Sequence, residues 1–200
     1  MYPKEIPIYE RAWMVAEAAH RGQSYDIYPY KFHLKQVVIV AESNFIPAYT
    51  QTASDLRRYI MLGCILHDVI EDSEITYEQL LKEFGETAAQ IVRNVSDSPG
   101  YNRAKRKESV YVALEQTDII SKMSLYVKLC DRFANMVFSG SHSKRRFNMY
   151  IKEYPIISDR LSSTCNVVNE KTIEVDTEMN RMLMNIWGSL NELVIELEKQ

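Results

Sequence analysis

The sequence contains few of the residues that interrupt helices or build disulfide frameworks. Glycine and proline occur six times each in 200 residues, so strong backbone breaks are rare along the chain. The three cysteines, Cys64, Cys130 and Cys165, are odd in number, widely spaced and without a CxxC pair. This pattern excludes a disulfide ladder and predicts a reducing compartment.

Long apolar runs and a large net charge are also missing. No stretch reaches the roughly 18 apolar residues of a membrane span, and the N-terminal segment has no apolar core of signal-peptide length. A formal net charge of −3 provides no broad attraction to nucleic-acid polymers or anionic membranes. We therefore predict a cytoplasmic protein without nucleic-acid or membrane partners, in which a local basic cluster or a metal attracts any anionic ligand.

Apolar residues recur at spacings of three and four along most of the chain, which is the period of an amphipathic α-helix. Thr76 and Gln79 form a capping-box pattern at one helix start, and Gly85 is the expected stop. Strand signals are weak, so we predict an all-α bundle. Besides the helix between Thr76 and Gly85, helices are expected at about 8–20, 31–42, 54–70, 86–96, 103–116, 118–138, 143–162 and 176–198.

We predict one main domain over residues 1–162 and a C-terminal extension over residues 163–200 that contains a long amphipathic helix. The stretch 163–175 fits either a linker or a short extended segment. The helix carries an apolar stripe, which we expect to pack on the chain's own domain, with a homodimer contact as the alternative. The stripe consists of Met182, Met184, Ile186, Trp187, Leu190, Leu193, Val194 and Leu197.

The segment HDVIED at 67–72 follows an apolar stretch and is the most informative part of the sequence. His67 and Asp68 place a nitrogen and an oxygen donor side by side at a helix end. His33 and Asp131 are the natural further ligands of a divalent ion, because apolar residues flank both and an unpaired charge there would be costly. This mixed donor set favours manganese, iron or another six-coordinate ion over thiolate-bound zinc. Four protein ligands leave positions open for water and a phosphate oxygen, which predicts a catalytic metal.

Each of these residues has a simpler interpretation when it is taken alone. A His-Asp dipeptide occurs on many solvated helix faces, and His33 could be a hydrogen-bonded, half-buried histidine. Asp131 could form an ion pair with its neighbour Arg132, while Glu71 and Asp72 could belong to a solvated acidic turn. The metal site is therefore predicted from the whole set of residues.

The order of these motifs along the chain resembles the HD family of metal-dependent phosphohydrolases, and within it the alarmone hydrolases of the RelA/SpoT type. The similarity extends from about Ala12 to Leu161. It implies an all-helical HD domain, a divalent metal such as Mn²⁺, and a small-molecule nucleotide substrate. The matching motifs are AAHRGQ at 18–23, PYKFH at 29–33, LHDVIED at 66–72, TYEQLLKEFG at 76–85, RK at 106–107 and VKLCDRFANM at 127–136.

The resemblance also assigns roles to single residues. It implies that a catalytic pair of carboxylates stands beside the attacking water, and a carboxylate placed there could orient the water and accept its proton. The implied metal ligands are His33, His67, Asp68 and Asp131, and the implied catalytic pair is Glu71 and Asp72.

A set of residues that bind the nucleotide is implied as well. Asn135 lies four residues after Asp131 and hence on the same helix face, and the corresponding asparagine of the family contacts the nucleotide sugar or its phosphate. Arg106 and Lys107 are candidates for phosphate binding, since a guanidinium group suits bidentate phosphate recognition.

A second basic group, at residues 144–146, could also hold phosphates. Within it, Arg146 lies one helical turn before Tyr150, and this spacing matches an arginine–tyrosine pair of the small alarmone hydrolases. Arg145 is a further candidate. A basic run of this kind is as readily explained by a solvated helix face.

The loop after AAHRGQ departs from the family pattern. It has Tyr25 and Asp26 where the family usually carries basic residues near the purine base, and Leu34 replaces the usual proline after the first ligand histidine. Tyr25 or Tyr28 could stack on a base, or either could pack the loop against the core. The predicted substrate is guanosine tetra- or pentaphosphate, which would lose its 3′-pyrophosphate. The alternatives are another nucleotide (a deoxynucleotide, a cyclic oligonucleotide or an NADPH-like cofactor) and a module that binds a nucleotide without cleaving it.

Overall fold

The computed structural model describes residues 3–45, 50–97, 102–168 and 172–198. Within these ranges the chain is almost entirely helical, which confirms the predicted all-α fold. None of the described helices has both the length and the apolar character needed to cross a membrane. The helices are α1 (Ile8–Ala19), α2 (Lys31–Asn44), α3 (Gln51–Leu66), α4 (Val69–Asp72), α5 (Tyr77–Phe84), α6 (Glu86–Val95), α7 (Arg103–Leu114), α8 (Ile119–His142), α9 (Lys144–Leu161) and α10 (Ile173–Glu198).

Side-chain caps fix the limits of several helices. The predicted capping box is present at the start of α5, where Thr76 and Gln79 each accept a hydrogen bond from the other's backbone N–H. Gly85 ends this helix at a φ of 85°, which a glycine adopts at no steric cost. Asp118 caps α8 by accepting from the backbone N–H of Ile120 and Ser121. The start of the helix that carries Asp131 is thus fixed by its own sequence.

Helix α3 ends earlier than predicted. It stops at Leu66 instead of about residue 70, so that His67 and Asp68 lie between α3 and the four-residue α4. The chain after α9 is also more regular than expected, since a 3-10 helix covers Ser162–Asn166. The predicted turn at residues 98–100 lies outside the described residues.

The loop after α1 contains a short hairpin that the sequence pattern did not predict. Its strands are Ser24–Tyr25 and Tyr28–Pro29, paired antiparallel. Two residues per strand are too few for alternation to appear in the sequence. At the tip, Asp26 has a φ of 59° and Ile27 is 80% exposed.

Helix α8 is the centre of the hydrophobic core and packs against α2, α3, α6, α9 and α10. Its residues Leu125, Val127 and Ala134 are buried. Helix α3 approaches its neighbours most closely at Gly63, where an added Cβ would lie 2.7 Å from Ile91 and 2.8 Å from Val127. The helices that carry the predicted metal ligands are therefore core elements.

Helix α10 completes this core, which confirms the predicted packing of the C-terminal helix on its own domain. Met182, Ile186 and Leu190 of the predicted stripe are buried in the same cluster as α8. Met184 is exposed instead, so its place in the stripe was wrong. The separation of residues 1–162 from 163–200 as two domains stays a prediction.

Candidate metal centre and active site

Three helices bring the predicted metal ligands together. The apolar end of α3 is buried, so the two residues that follow it, His67 and Asp68, emerge directly from the core. His33 lies in the first turn of α2 and is only 2% exposed. Asp131 lies in the middle of α8. Because α8 packs against both α2 and α3, the three segments meet at one point.

The donor atoms of these residues converge. Nε2 of His67 lies 2.8 Å from Oδ2 of Asp68 and 3.8 Å from Oδ1 of Asp131. Nε2 of His33 lies 3.3 Å from the same Asp131 oxygen and 3.8 Å from Oδ2 of Asp68. Ligand atoms of His33, His67 and Asp68 all lie within 4.8 Å of one another. The geometry thus brings together all four residues of the predicted set.

The hydrogen bonding of His67 fits metal ligation. Its Nδ1 donates to the backbone carbonyl of Cys64, 3.0 Å away, and a carbonyl can only accept. Nε2, on the other side of the ring, is buried and makes no well-directed hydrogen bond with any described residue. An imidazole held through Nδ1 in this way presents its Nε2 lone pair to a metal. The residues present therefore fit a divalent ion.

The carboxylates favour a positive charge at this point. Burial opposes the ionisation of Asp68, but the adjacent His67 outweighs it and holds the pKa of Asp68 below its usual value. The pKa of Asp131 is also lowered, since the charge of Lys128 and a hydrogen bond with His33 outweigh burial. Burial alone would lower the pKa of His67, but the two carboxylates raise it to about 9. Either a proton on His67 or a bound metal ion would offset the negative charge of these two carboxylates.

Tyr30 supports the site and was not selected from the sequence. Its hydroxyl donates to Oδ2 of Asp68 at 2.5 Å, and its ring stacks on His20 with 4.3 Å between centroids. His20 bonds through Nδ1 to Gln23, whose side-chain amide donates to the backbone oxygen of Asp72. The AAHRGQ segment thus connects the hairpin to the acidic helix α4. Tyr30 stands within the PYKFH segment, and only this position in a resembling motif could have drawn attention to it.

The two predicted catalytic carboxylates both lie on α4 but have different surroundings. Glu71 lines the pocket beside the ligand cluster and accepts a hydrogen bond from the backbone N–H of Asp97 at 3.1 Å. Burial raises its pKa. Asp72 does not line this pocket, and burial followed by the charge of Asp68 raises its pKa. A raised pKa makes a carboxylate a better proton acceptor.

An open pocket of about 190 Å³ lies against the ligand cluster. Four basic residues contribute to its lining, of which only Lys107 was selected from the sequence. The other three, Arg103, Lys128 and Arg132, reach the pocket from α7 and α8, and Nζ of Lys128 lies 3.6 Å from Oδ2 of Asp131. The full lining consists of Tyr25, Tyr30, His33, Asp68, Glu71, Asp97, Arg103, Lys107, Lys128, Asp131, Arg132, Asn135 and Tyr150.

Four of the six predicted nucleotide-binding residues line this pocket. Two of them touch each other, since the Tyr25 hydroxyl donates to Oδ1 of Asn135 at 2.7 Å. The Tyr25 ring also stacks on His33 with 4.6 Å between centroids, so it packs the loop against the metal ligands. Asn135 in turn donates to Oδ1 of Asp131 at 2.5 Å. The other two of the four are Lys107 and Tyr150.

The remaining two predicted nucleotide-binding residues lie away from the lining. Arg106 is half-buried, with Nε 4.0 Å from Oδ2 of Asp97. Arg146 is exposed in the first turn of α9, next to the exposed Arg145. Burial raises the pKa of Tyr25, and the positive charge of Arg146 partly offsets this rise. Phosphate binding by Arg106, Arg145 and Arg146 stays a prediction.

A helical bundle in which two histidines and two aspartates converge beside a basic pocket has the architecture expected of an HD-type hydrolase. Comparison with known proteins agrees. A protein named GTP pyrophosphokinase from Streptomyces coelicolor is 34% identical over 136 residues, which are 64% of this chain and 14% of that protein. The guanosine-3′,5′-bis(diphosphate) 3′-pyrophosphohydrolase MESH1 of Danio rerio is 32% identical over 77 residues, 38% of this chain and 41% of that protein.

A third relative matches almost the whole chain. The guanosine-3′,5′-bis(diphosphate) 3′-pyrophosphohydrolase of Vibrio cholerae is 28% identical over 201 residues, which cover 95% of this chain and 26% of that protein. The chain spans less than half of the length of each of these three relatives. No protein-family model matches it. The relatives confirm the resemblance to the RelA/SpoT-type HD hydrolases that the sequence motifs predict.

The fold is also found in a solved structure. That protein is described as a metazoan ortholog of SpoT that hydrolyzes ppGpp and plays a role in starvation responses. The two structures superpose with a TM-score of 0.60 at 19% sequence identity, over 95% of this chain and 98% of the other. At this identity the likeness establishes the shared fold, including the C-terminal part of the chain.

Proposed function

We propose that this chain is a metal-dependent hydrolase that removes the 3′-pyrophosphate of guanosine tetra- and pentaphosphate. The observation that supports it best is the convergence of His33, His67, Asp68 and Asp131 beside a basic pocket. The names of the sequence relatives support the same reaction. The proposed partner is thus a small nucleotide rather than a nucleic-acid polymer or a membrane.

The four convergent residues would hold the ion, and their mixed nitrogen and oxygen donors suit Mn²⁺. When bound, a divalent ion there polarises a phosphate oxygen and lowers the pKa of water. Glu71 lines the pocket with a raised pKa, so it is suited to orient the attacking water and accept its proton. Asp72, the next residue along α4, is the second proposed acid–base residue, although it does not line the pocket.

The basic part of the pocket would bind the phosphates. Lys107 and Tyr150 contribute a charge and a hydroxyl to the lining, and cationic donors stabilise the charge that develops on a leaving pyrophosphate. Asn135 is proposed to contact the nucleotide sugar or its phosphate. One N–H of the Asn135 amide donates to Asp131 and its oxygen accepts from Tyr25, so the second N–H is the donor proposed for the nucleotide.

An Asp68→Ala variant tests the metal site. Removing this carboxylate takes away one ligand and leaves Nε2 of His67 without its nearest oxygen, so we expect loss of both bound Mn²⁺ and pyrophosphate release. Elemental analysis of the purified protein and a phosphate-release assay measure the two effects. The matched control is Asp55→Ala, which removes an exposed carboxylate from α3 and should change neither. Full metal content and activity in Asp68→Ala would refute the assignment.

A panel of nucleotides tests the substrate. With Mn²⁺ present, we expect pyrophosphate release from guanosine tetraphosphate and none from deoxynucleotides, cyclic oligonucleotides or NADPH. Turnover of one of these instead would overturn the substrate while leaving the metal site in place. Binding of guanosine tetraphosphate without turnover would identify a nucleotide-binding module. The cytoplasmic location and the alternative of a homodimer stay predictions from the sequence.

A further inference from the structure

Glu153 of α9 binds three cations that come from two other helices. Its Oε1 accepts from Nε of Arg103 at 2.7 Å, and its Oε2 accepts from Nη2 of Arg132 at 3.0 Å. Nζ of Lys107 lies 3.5 Å from Oε2 as well. Arg103 and Lys107 belong to α7 and Arg132 to α8. One carboxylate therefore joins three helices through charged contacts.

The three cations line the pocket beside the metal ligands, whereas Glu153 does not. Arg132 is 6% exposed, and its Nη1 has no hydrogen-bond partner among the described residues. Its guanidinium also lies over the ring of Tyr150, with 5.2 Å to the centroid. The three cationic side chains that could bind an anionic ligand thus line the pocket, whereas the carboxylate that they contact lies outside the lining.

Such an arrangement needs a fixed negative charge. Three like charges repel one another at these distances, and long basic side chains lose considerable entropy when they are held in one orientation. Hydrogen bonds from Arg103 and Arg132, with the charge of Lys107, outweigh burial and lower the pKa of Glu153 to about 2. The carboxylate is therefore ionised at any physiological pH and offsets the repulsion at all times.

We propose that Glu153 is a positioning residue, which orients Arg103, Lys107 and Arg132 as the part of the pocket that binds a pyrophosphate group. The inference rests on the proposed function and extends it to Glu153, Arg103 and Arg132, for which the sequence suggested no role in this site. Glu153 acts through the cations, since it is not part of the pocket lining. A bidentate or multiple charged contact with phosphate requires the donors to be held in one orientation.

A Glu153→Gln variant separates positioning from simple electrostatics. If Glu153 only competes with the ligand for the cations, its neutralisation should tighten the binding of an anion. If it positions them, binding should weaken, and we expect about a tenfold loss, the effect of one charged hydrogen bond. Calorimetric titration of the Mn²⁺-loaded protein with inorganic pyrophosphate measures the change. The matched control is Glu115→Gln, which neutralises a carboxylate paired with Arg160 and should leave pyrophosphate binding unchanged.

Turnover supplies an independent readout. Cations that bind the pyrophosphate group and also stabilise its charge as it leaves contribute to both substrate binding and the chemical step, so Glu153→Gln should raise KM about tenfold and lower kcat as well. An unchanged or lower KM, or tighter pyrophosphate binding, would overturn the proposal. Because the pyrophosphate titration needs no turnover, it remains decisive if guanosine tetraphosphate proves not to be the substrate.

A double-mutant cycle tests whether Glu153 acts through Arg103. Arg103 is partly exposed, so Arg103→Gln should fold and should itself weaken pyrophosphate binding. If Glu153 acts through Arg103, adding Glu153→Gln to this variant should cost less than it does in the wild-type protein. Strictly additive losses would contradict the coupling. Thermal melting by circular dichroism identifies any variant whose fold is lost; if Glu153→Gln is one, Glu153→Asp, which keeps the charge but shortens the side chain, replaces it in the cycle, and unchanged pyrophosphate binding there would overturn the proposal.

Discussion

At the scale of single residues, the two carboxylates of the proposed metal site are held by neighbours that fix their orientation. Tyr30 donates to Asp68 and Asn135 donates to Asp131, both at 2.5 Å. Hydrogen bonds of this kind orient metal ligands, and their loss typically costs about 10- to 100-fold in metal affinity. The residues around the four ligands therefore determine how well the site binds an ion.

A Tyr30→Phe variant removes the hydroxyl that holds Asp68 and keeps the ring that stacks on His20. We expect the affinity for Mn²⁺ to fall by about tenfold, with the melting temperature of the metal-free protein nearly unchanged. A Mn²⁺ titration followed by calorimetry measures the first effect. Tyr28→Phe, two residues earlier in the hairpin, serves as the control, and equal affinities for the two variants would show that the Tyr30 hydroxyl does not support the site.

Lys107 gives the site a pH dependence. Burial, together with the positive charges of Arg132 and Lys128, lowers its pKa to about 8. The lysine is charged below this pH and neutral above it, so KM for the nucleotide should rise as the pH increases from 7.5 to 9.5. Lys107→Arg keeps its charge over this range and should flatten the profile. Identical KM profiles for the two proteins would contradict the prediction.

The four residues of the proposed metal centre could be selected from the sequence, whereas most of their supporting contacts could not. His67 and Asp68 follow a buried helix, and apolar residues flank His33 and Asp131, so their residue types and local context are visible in the sequence. Arg132 was visible only as a neighbour of Asp131. Its contact with Glu153 joins two helices and depends on how they pack, which no local pattern reveals.

At the scale of helices, the position of His67 depends on how closely α3 packs against α6 and α8. The close approach occurs at Gly63, one helical turn before His67. There the side chains of Ile91 and Val127 occupy the space that a Cβ would need. The absence of a side chain at this position allows the end of α3 to reach Asp131.

Gly63→Ala should therefore force α3 away from its neighbours. Overpacking of a buried position costs about 1–3 kcal/mol, and the displaced helix end should also weaken Mn²⁺ binding. The control is Gly188→Ala on α10, where a Cβ meets no atom within 4 Å; it should stabilise the helix by about 0.5–1 kcal/mol. Urea denaturation measures the free energy of unfolding, which should decrease for Gly63→Ala and increase for Gly188→Ala. Equal stabilities of the two variants would contradict the packing argument.

The helices themselves were largely predictable, and the exceptions have local causes. Thr76 and Gln79 determine the start of α5 through their own side chains, so the sequence alone suffices there. The end of α3 was placed too late because Val69 and Ile70 continue its apolar pattern into α4. The apolar periodicity continues without interruption and so does not reveal that one helix ends before His67 and another starts after Asp68.

At the scale of the whole molecule, a buried ion pair joins the central helix to the C-terminal one. Nζ of Lys122 on α8 lies 2.5 Å from Oδ1 of Asp176 on α10, and both residues are almost fully buried. Lys122 also donates to the backbone oxygen of Val167, and Asp176 accepts from the hydroxyl of Thr172. Charges that are buried and hydrogen-bonded in this way favour one arrangement of the two helices.

Asp176→Asn should destabilise the protein strongly, because it leaves the Lys122 charge buried without its counter-ion. The expected loss in the free energy of unfolding is about 3–5 kcal/mol, measured by urea denaturation. Glu178→Gln on the same helix is the matched control. Its partner Arg181 is largely exposed, so the loss there should stay below about 1 kcal/mol. A similar loss in both variants would show that the buried Lys122–Asp176 pair contributes no more to stability than an exposed ion pair does.

The three helices α2, α3 and α8, which carry the proposed metal ligands, also form the centre of the hydrophobic core. Segments that are far apart in sequence therefore meet at the proposed metal site, and an ion that binds there only in the folded chain would shift the folding equilibrium by mass action. Heating should consequently abolish metal retention and helical structure in a single cooperative event. A chelator that removes the ion should therefore leave the fold around α8 in place but lower its melting temperature.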